Sequence, residues 1–237
     1  MSGHSKWSKI KRDKGANDAK RGAVFTRIGN QIAIAARSGI DPEMNPALAM
    51  AIEKARQANM PKDNIQRSID RVADKSAAAL EEITYEAYGP GGIGIIIETA
   101  TDNRNRTLPD VKTALVKNGG RIADAGSVMF QFTRKGVIRV AATGEDALMT
   151  MLDAGAEDAV EDGDETIVYT EQKDLMKVRT NLIAAGLKVE DAELQYVPNS
   201  PVAVDEQETA DKVMRVLDAL EDLDDVVNVH TNADILV

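Results

Sequence analysis

Hydrophobic positions in the first third of the chain recur at helical spacing. A first periodic segment runs from Asn17, a capping candidate, to Gly39, a second starts at Asn45-Pro46, and Pro61 opens a third. Their apolar positions are Val24, Ile28 and Ile32, then Leu48, Ile52 and Ala55, then Ile65, Ile69 and Val72. The pattern predicts three short helices that pack as one helical domain ending near residue 78.

After residue 80, β-rich runs alternate with helical patterns. Two runs, 83–88 and 93–101, flank the turn signal Gly89-Pro90-Gly91-Gly92, and a helix beginning at Thr107 and a strand over 128–132 follow. The remaining predicted elements are strand 137–140, helix 145–154, strand 165–169, helix 173–185, strand 193–197, helix 207–220 and strand 226–230. The elements predicted between residues 83 and 132 lack the second helix and the last strand of a complete α+β unit. The predicted helix 207–220 and strand 226–230 supply them.

The expected fold class is therefore multidomain α+β. We expect an N-terminal three-helix domain followed by two small ferredoxin-like α+β domains, the last inserted into the middle one. The predicted boundaries are 1–78 for a basic helical domain with a flexible arm, 79–133 plus 202–237 for a discontinuous middle domain, and 134–201 for the inserted domain. A linear order of three domains is the alternative.

Charge is divided unevenly along the 237 residues. The net charge is -10, yet residues 1–78, here called the head, carry 15 basic and 8 acidic side chains, so the remainder carries -17. A positive field concentrates polyanions, which indicates an anionic partner for the head. The absence of cysteine excludes disulfides, thiolate zinc sites and cysteine nucleophiles. No apolar stretch is long enough for a membrane span and no apolar signal segment follows Met1, so we expect a cytoplasmic protein without a membrane partner.

The motifs that could indicate an enzyme lack the secondary structure or the ligand spacing that those enzymes require. The segment from Gly89 to Gly94 has the letters of a dinucleotide fingerprint, but a strand follows where a helix is required. A hairpin turn is the favoured interpretation, with a phosphate contact at Gly91 and Gly92 as the alternative. His4 and His230 have no second ligand at metal spacing, and the acidic run 157–165 is interpreted as a solvated turn. We expect no cofactor, no metal, no small-molecule substrate and no catalytic residues.

The strongest candidate chemistry lies in residues 1–16, here called the arm, and in the first helix. The predicted nucleic-acid-binding residues are Lys6, Trp7, Lys9, Lys11, Arg12, Lys14, Lys20, Arg21 and Arg27. Cations displace counterions from a phosphate backbone, and a tryptophan among them can stack on an unpaired base. The alternatives are a merely solvated basic tail and a Trp7 that packs on the helical domain. Arg104 and Arg106 are possible secondary anion contacts, with helix capping as a compatible explanation.

Many short motifs occur in an order that points to a known family. They are Met1-Ser2-Gly3-His4-Ser5-Lys6-Trp7, Lys9-Ile10-Lys11, Lys20-Arg21, Asp41-Pro42, Asn59-Met60-Pro61, Asp63-Asn64-Ile65, Tyr88-Gly89-Pro90-Gly91-Gly92, Thr101-Asp102-Asn103, Asn105-Arg106-Thr107 and Gly126-Ser127-Val128. With these motifs the chain resembles, from end to end, the YebC/PmpR family, which includes the mitochondrial translational activator of cytochrome c oxidase. The resemblance implies a three-domain cytoplasmic protein that regulates gene expression without catalysis.

The resemblance leaves the nucleic acid open. A DNA-binding transcriptional regulator is the first hypothesis, and a translation factor bound to ribosomal or messenger RNA, with the ribosome as partner, is the second. No helix with base-reading side chains stands out, which favours recognition of shape and backbone. An enzyme with a cleft between the α+β domains and a purely protein-binding adaptor are the rival classes.

Overall fold

The computed structural model describes residues 18–72 and 80–237. The chain divides into two compact units. One comprises residues 132–199, and the other comprises the described residues up to Gln131 together with Ser200–Val237. No helix in the described part of the chain is both long enough and apolar enough to cross a membrane.

The helical domain contains α1 (Asp18–Ala36), α2 (Pro46–Gln57) and α3 (Lys62–Asp70). Ile28, Ile32 and Leu48 belong to its buried core. The buried Asn45 side chain accepts from the Leu48 N–H at 3.2 Å and donates to the Ala35 and Gly39 carbonyls at 2.7 Å. This one residue therefore caps α2 and ties it to the end of α1, as the Asn-Pro signal predicts.

The α+β part of the chain contains ten strands and four helices in the described residues. In chain order they are β1 (Glu81–Tyr88), β2 (Gly94–Thr101), α4 (Arg104–Lys117), β3 (Arg121–Ile122), β4 (Phe132–Val140), α5 (Glu145–Asp153), β5 (Asp158–Asp162), β6 (Glu165–Glu171), α6 (Leu175–Ala184), β7 (Val189–Pro198), β8 (Val202–Val204), α7 (Gln207–Glu221), β9 (Val226–Thr231) and β10 (Ala233–Ile235).

The middle domain is an antiparallel sheet in the order β3-β1-β2-β9, with α4 and α7 on one face. Ile95 and Ile97 on β2 share a buried core with Leu115 of α4 and Leu217 of α7. The short strands β8 and β10 pair in parallel. Strand β9 comes from the tail, so this core needs two segments of sequence that the unit 132–199 separates.

The unit 132–199 has the element order β-α-β-β-α-β and the sheet order β5-β6-β4-β7, which is the ferredoxin-like arrangement. Its two helices lie on one face of the sheet. Asn181 of α6 donates to the Ala154 carbonyl at the end of α5 at 2.9 Å, and a Cβ at Gly136 of β4 would lie 2.9 Å from Leu175 Cβ in α6. The expected fold class is confirmed.

Three predicted elements are wrong in detail. Residues 129–131 form a 3-10 turn and β4 begins only at Phe132, so the predicted strand 128–132 is absent except for its last residue. Helix α4 begins at Arg104, three residues before Thr107, because the Asn103 side chain accepts from the Arg106 N–H at 3.2 Å and caps the helix. The acidic run contains strand β5, which turns into β6 at Gly163, with φ at +73°. The domain boundaries given above stay a proposal, which the division at residues 132 and 199 supports.

Candidate nucleic-acid interface

Most of the predicted nucleic-acid-binding residues lie at the start of the chain. Lys6, Trp7, Lys9, Lys11, Arg12 and Lys14 are outside the described residues, while Lys20 and Arg21 fall within α1. The described part of the chain begins with this 19-residue helix. The assignment of these residues to nucleic acid stays a prediction.

Arg27 has a partner inside the protein. It lies off the apolar stripe of α1, as expected, but it is half-buried and its guanidinium donates to the carbonyl oxygen of Glu221 at the end of α7. This contact joins the helical domain to the middle domain. It uses an N–H group that a phosphate would otherwise accept from, so the structure gives Arg27 an internal role that the periodicity of α1 did not indicate.

Four other cations of the helical domain are exposed. They are Arg37, Arg56, Lys62 and Arg67. Arg67 donates to Asn64 of its own helix and to the Asp63 carbonyl, contacts that leave its guanidinium at the surface. Sequence reasoning passed over these positions because they are scattered along the chain, and only the packing of three helices brings them onto one small domain.

Arg106 is held by a partly buried carboxylate. Its guanidinium donates to both oxygens of Asp225 at 2.9 Å, and the Asp225 side chain is 13% exposed. Asp225 also accepts from the hydroxyls of Thr107 at 2.7 Å and Thr101 at 3.1 Å. The pair with Asp225 raises the pKa of Arg106 above its usual value. The segment 101–107 thus fixes the start of α4 to the loop between α7 and β9, and these contacts explain the motif without a bound anion.

Arg71 extends this network to the helical domain. It donates to Asp102 at 3.4 Å and to the Asn30 side chain of α1 at 3.3 Å, and Asp102 also accepts from Arg106 at 3.2 Å. Arg104 and Arg106 are both exposed, and the Arg106 side chain is 51% accessible although it is paired with Asp225. Arg104 lies close enough to the Tyr85 hydroxyl to oppose the rise in the pKa of that tyrosine that burial causes.

The glycine loop is a tight turn between β1 and β2, as the favoured interpretation expects. Gly91 and Gly92 have φ at +73° and +77°, a backbone region that favours glycine. A Cβ at Gly91 would lie 3.0 Å from the Thr209 side chain of α7, and the Gly92 N–H already donates to the Gly89 carbonyl at 3.2 Å. The glycines therefore serve the turn and its packing on α7. Their contact with a phosphate stays a prediction.

A cavity of about 510 Å³ lies where α1 and the end of α3 face the middle domain. Its wall carries five aspartates and two arginines, and both arginines belong to the network above. The charged residues are Arg71, Asp102, Arg106, Asp110, Asp222, Asp224 and Asp225. A phosphate in this cavity would meet net negative charge. Within the described residues, no group of three or more His, Asp or Glu side chains is arranged to hold a metal ion.

Comparison with known proteins covers nearly the whole chain. A family model described as the TACO1/YebC protein N-terminal domain matches residues 5–75, and one described as the TACO1/YebC second and third domain matches residues 80–233. A probable transcriptional regulatory protein of Rubrobacter xylanophilus is 51% identical over 99% of this chain and 96% of its own. A similarly named protein of Desulfotalea psychrophila is 49% identical with the same coverage. The crystal structure of a conserved hypothetical protein from Aquifex aeolicus matches with a TM-score of 0.86 and 39% identity over 93% of both chains.

Proposed function

The chain belongs to the TACO1/YebC family, and on that premise we propose that it is a non-enzymatic regulator of gene expression that binds nucleic acid through its head. Relatives that share about half of its residues are named probable transcriptional regulatory proteins, which supports a role in transcription. Duplex DNA is accordingly the first ligand in this proposal, and the cytoplasm is the expected location.

One observation carries the proposal, namely the separation of charge between a head of +7 and a remainder of -17. Cations in the arm can approach phosphates and release condensed counterions, whereas the acidic remainder repels the same polyanion. The contacts of the described arginines support this assignment of nucleic-acid binding to the head. Arg27, Arg71 and Arg106 bind partners within the protein, whereas Arg37, Arg56, Lys62 and Arg67 are exposed cations of the helical domain.

Trp7 favours a second candidate, a translation factor that binds single-stranded or looped RNA. It is the only tryptophan and has Lys6 and Lys9 close in sequence, a combination that stacks on unpaired bases. A duplex offers no free base face. The Trp7→Ala variant should therefore lose about 1 to 3 kcal/mol of binding free energy on single strands and little on duplex if the ring stacks.

The salt dependence of binding tests the proposal directly. Fluorescence anisotropy with a labelled duplex DNA and a labelled single-stranded RNA would give the slope of log affinity against log salt concentration. If the head neutralises five phosphates, the slope should be about -4.5 on duplex and about -3.5 on single strands.

A matched pair of variants locates the binding surface. The triple variant Lys9→Ala, Lys11→Ala, Arg12→Ala should flatten the duplex slope by about 2.7, since each lost cation releases one counterion fewer. The control Lys173→Ala, Lys177→Ala, Lys188→Ala removes the same charge from exposed positions in the unit 132–199 and should leave the slope unchanged. A role for the arm would be refuted if affinity did not depend on salt concentration, or if both triple variants changed the slope equally.

A further inference from the structure

Two short motifs that the proposed function does not use meet on one face of the middle sheet. Tyr88 lies at the end of β1, and Gly126-Ser127-Val128 belongs to the loop 123–131 that follows β3. The Tyr88 hydroxyl donates to the Ser127 carbonyl at 3.0 Å. The two motifs are therefore parts of one surface.

The loop 123–131 is held on both sides of its 3-10 turn. On one side, the buried Glu86 carboxylate accepts three backbone N–H groups between Gly126 and Met129. On the other side, the Gln131 side chain accepts at 2.8 Å from the side-chain NH2 of Asn232, which is 1% exposed. Satisfied buried polar groups make a structure rigid, so the turn 129–131 has a defined orientation.

This turn presents an aromatic ring to solvent. Phe130 is 71% exposed, whereas Val128 and Phe132, two residues to either side, are buried. The chain has only three phenylalanines and one tryptophan, so a ring at the surface is a rare feature in it. Phenylalanine gains free energy when it leaves water, and aromatic rings pack well in offset stacks. The ring is therefore suited to contact a planar ligand.

A cation lies beside the same surface. Arg121 pairs directly with Tyr88 in the sheet, and its guanidinium carbon lies 4.5 Å from the centroid of the Tyr88 ring. Arg121 is exposed, and no carboxylate in the described part of the chain pairs with it. Asp124 is the one acidic residue of the loop 123–131, so it and Arg121 balance each other in charge. A nucleic-acid strand can approach this surface without net local repulsion.

We propose that Phe130 stacks on one unpaired nucleobase and that Arg121 binds the phosphate next to it. Stacking tolerates every base because each has a flat π face, and a guanidinium matches the geometry of phosphate oxygens. An intact duplex offers no such face, so the ligand is a single-stranded or looped segment. The inference rests on the proposed function, which supplies the nucleic acid, and it adds a second contact outside the head.

The two contacts differ in their dependence on salt. The cations of the head release counterions when they bind phosphates, whereas a stacked ring releases none. Loss of the Phe130 ring should therefore lower the affinity and leave the slope of log affinity against log salt concentration unchanged. A duplex engages the head alone, whereas a strand with an unpaired base engages both contacts. The second contact thus favours unpaired segments over duplex.

Fluorescence anisotropy of the full chain with a labelled oligouridylate of about twelve nucleotides tests the ring. Phe130→Ala should bind at least about fivefold more weakly, the factor that corresponds to about 1 kcal/mol of stacking. Phe130→Trp keeps a stacking ring and should bind as tightly as the wild type. The control Val116→Ala trims an apolar side chain that is 68% exposed on α4 and should leave the affinity unchanged. Equal affinities of wild type and Phe130→Ala would overturn the proposal.

Duplex DNA separates stacking from a disturbed fold. Phe130→Ala should bind a duplex like the wild type, and its melting temperature should match that of Val116→Ala because both side chains are exposed. Equal losses on duplex and on oligouridylate would contradict stacking, since a disturbed fold affects both ligands. An oligodeoxyuridylate of the same length distinguishes the two sources of an unpaired base, because the sugar that gives tighter binding identifies RNA or DNA.

The salt slope tests the phosphate contact. Arg121→Gln should flatten the slope on single strands by about 0.7, the contribution of one phosphate. Phe130→Ala should leave the slope as it is in the wild type. An unchanged slope in Arg121→Gln would refute the role given to Arg121.

Photocrosslinking locates the base on the protein. An oligouridylate that carries 5-iodouracil should crosslink to Phe130, and trypsin would place the crosslink in the peptide 122–134. Phe130→Ala should abolish this crosslink. Crosslinks confined to other peptides, such as the one that contains Trp7, would overturn the proposal even if the affinity of Phe130→Ala had fallen.

The outcomes for Phe130 and for the head are independent of each other. If the triple variant of the arm flattens the salt slope and Phe130→Ala changes nothing, the proposed function stands and the stacking site is refuted. If Phe130→Ala weakens binding and abolishes the crosslink while the triple variant keeps the wild-type slope, the stacking site stands and the arm is not the binding surface.

Discussion

Replacing Glu86 with glutamine should lower the free energy of unfolding of the middle domain by about 2 to 4 kcal/mol at neutral pH. Glu86 lies on β1 and is 7% exposed. Its carboxylate accepts the backbone N–H groups of Gly126, Val128 and Met129 at 2.5, 2.6 and 2.7 Å. Glutamine has the same shape but offers an NH2 group in place of one oxygen. At least one N–H would then face another donor, which costs about 1 to 3 kcal/mol when buried, in addition to the loss of charge-assisted bonds.

The pH dependence of this effect has a definite sign. Burial alone would raise the pKa of Glu86, but the three N–H donors outweigh it and lower the pKa below its ordinary value of 4.5. The unfolded chain therefore binds a proton more readily than the folded one. The stabilisation is fully present above pH 4.5 and is lost as the pH falls through the lower pKa of the folded state. The difference between wild type and Glu86→Gln should shrink over the same interval.

Urea unfolding at several pH values measures both quantities. Glu82→Gln is the matched control, because Glu82 is exposed and precedes Glu86 by four residues on β1. It should change the free energy of unfolding by less than about 0.5 kcal/mol. If Glu86→Gln matched this control at neutral pH, the carboxylate would not hold the loop 126–129, and the reasoning would be refuted.

Three further outcomes follow from the contacts described above. Asp225→Asn should destabilise the protein by about 2 kcal/mol in thermal melts, since it weakens the bonds to Arg106 and two threonines, while the exposed Asp224→Asn should have little effect. Gly136→Ala should lower the melting temperature of the unit 132–199, because its Cβ would lie 2.2 Å from the Thr170 hydroxyl oxygen. Ultraviolet titration should show Tyr169 ionising near pH 12 in the folded protein, and ionisation at the ordinary value of 10.0 would contradict its burial beside Asp158.

The sequence predicted the elements whose signals are local. Proline at the start of α2 and apolar positions every three or four residues in α1 and α2 identify helices without knowledge of the rest of the chain. The number of helices and strands in the middle segment also predicts that the tail helix and strand complete the middle sheet, and β9 does pair with β2. In contrast, β5 consists of Asp158–Asp162, whose charged residues resemble a solvated turn, and it forms a strand because β6 pairs with it at the sheet edge.

The contacts of Arg27 and Arg106 at the candidate site could not be predicted from the sequence. Arg27 meets Glu221 across 194 residues and Arg106 meets Asp225 across 119, so no local pattern could show that these cations have internal partners. Net charge does not distinguish a cation with an internal partner from one without. Tertiary packing decides which arginines join segments of the protein and which cations are exposed without such a role.

The pairing of Phe132 with Pro198 places the two ends of the unit 132–199 side by side, and this affects the order of folding. Strand β2 must find β9 across 130 residues of chain, as the bond between Glu98 and Asn228 shows. If the unit 132–199 folds first, its collapse roughly halves the loop that remains to be closed, which lowers the entropic cost by about 0.6 kcal/mol and speeds closure about threefold. On this order of folding, the unit 132–199 aids the closure of the sheet β3-β1-β2-β9. Variants that unfold the insertion should slow the refolding of a sheet whose residues they never touch.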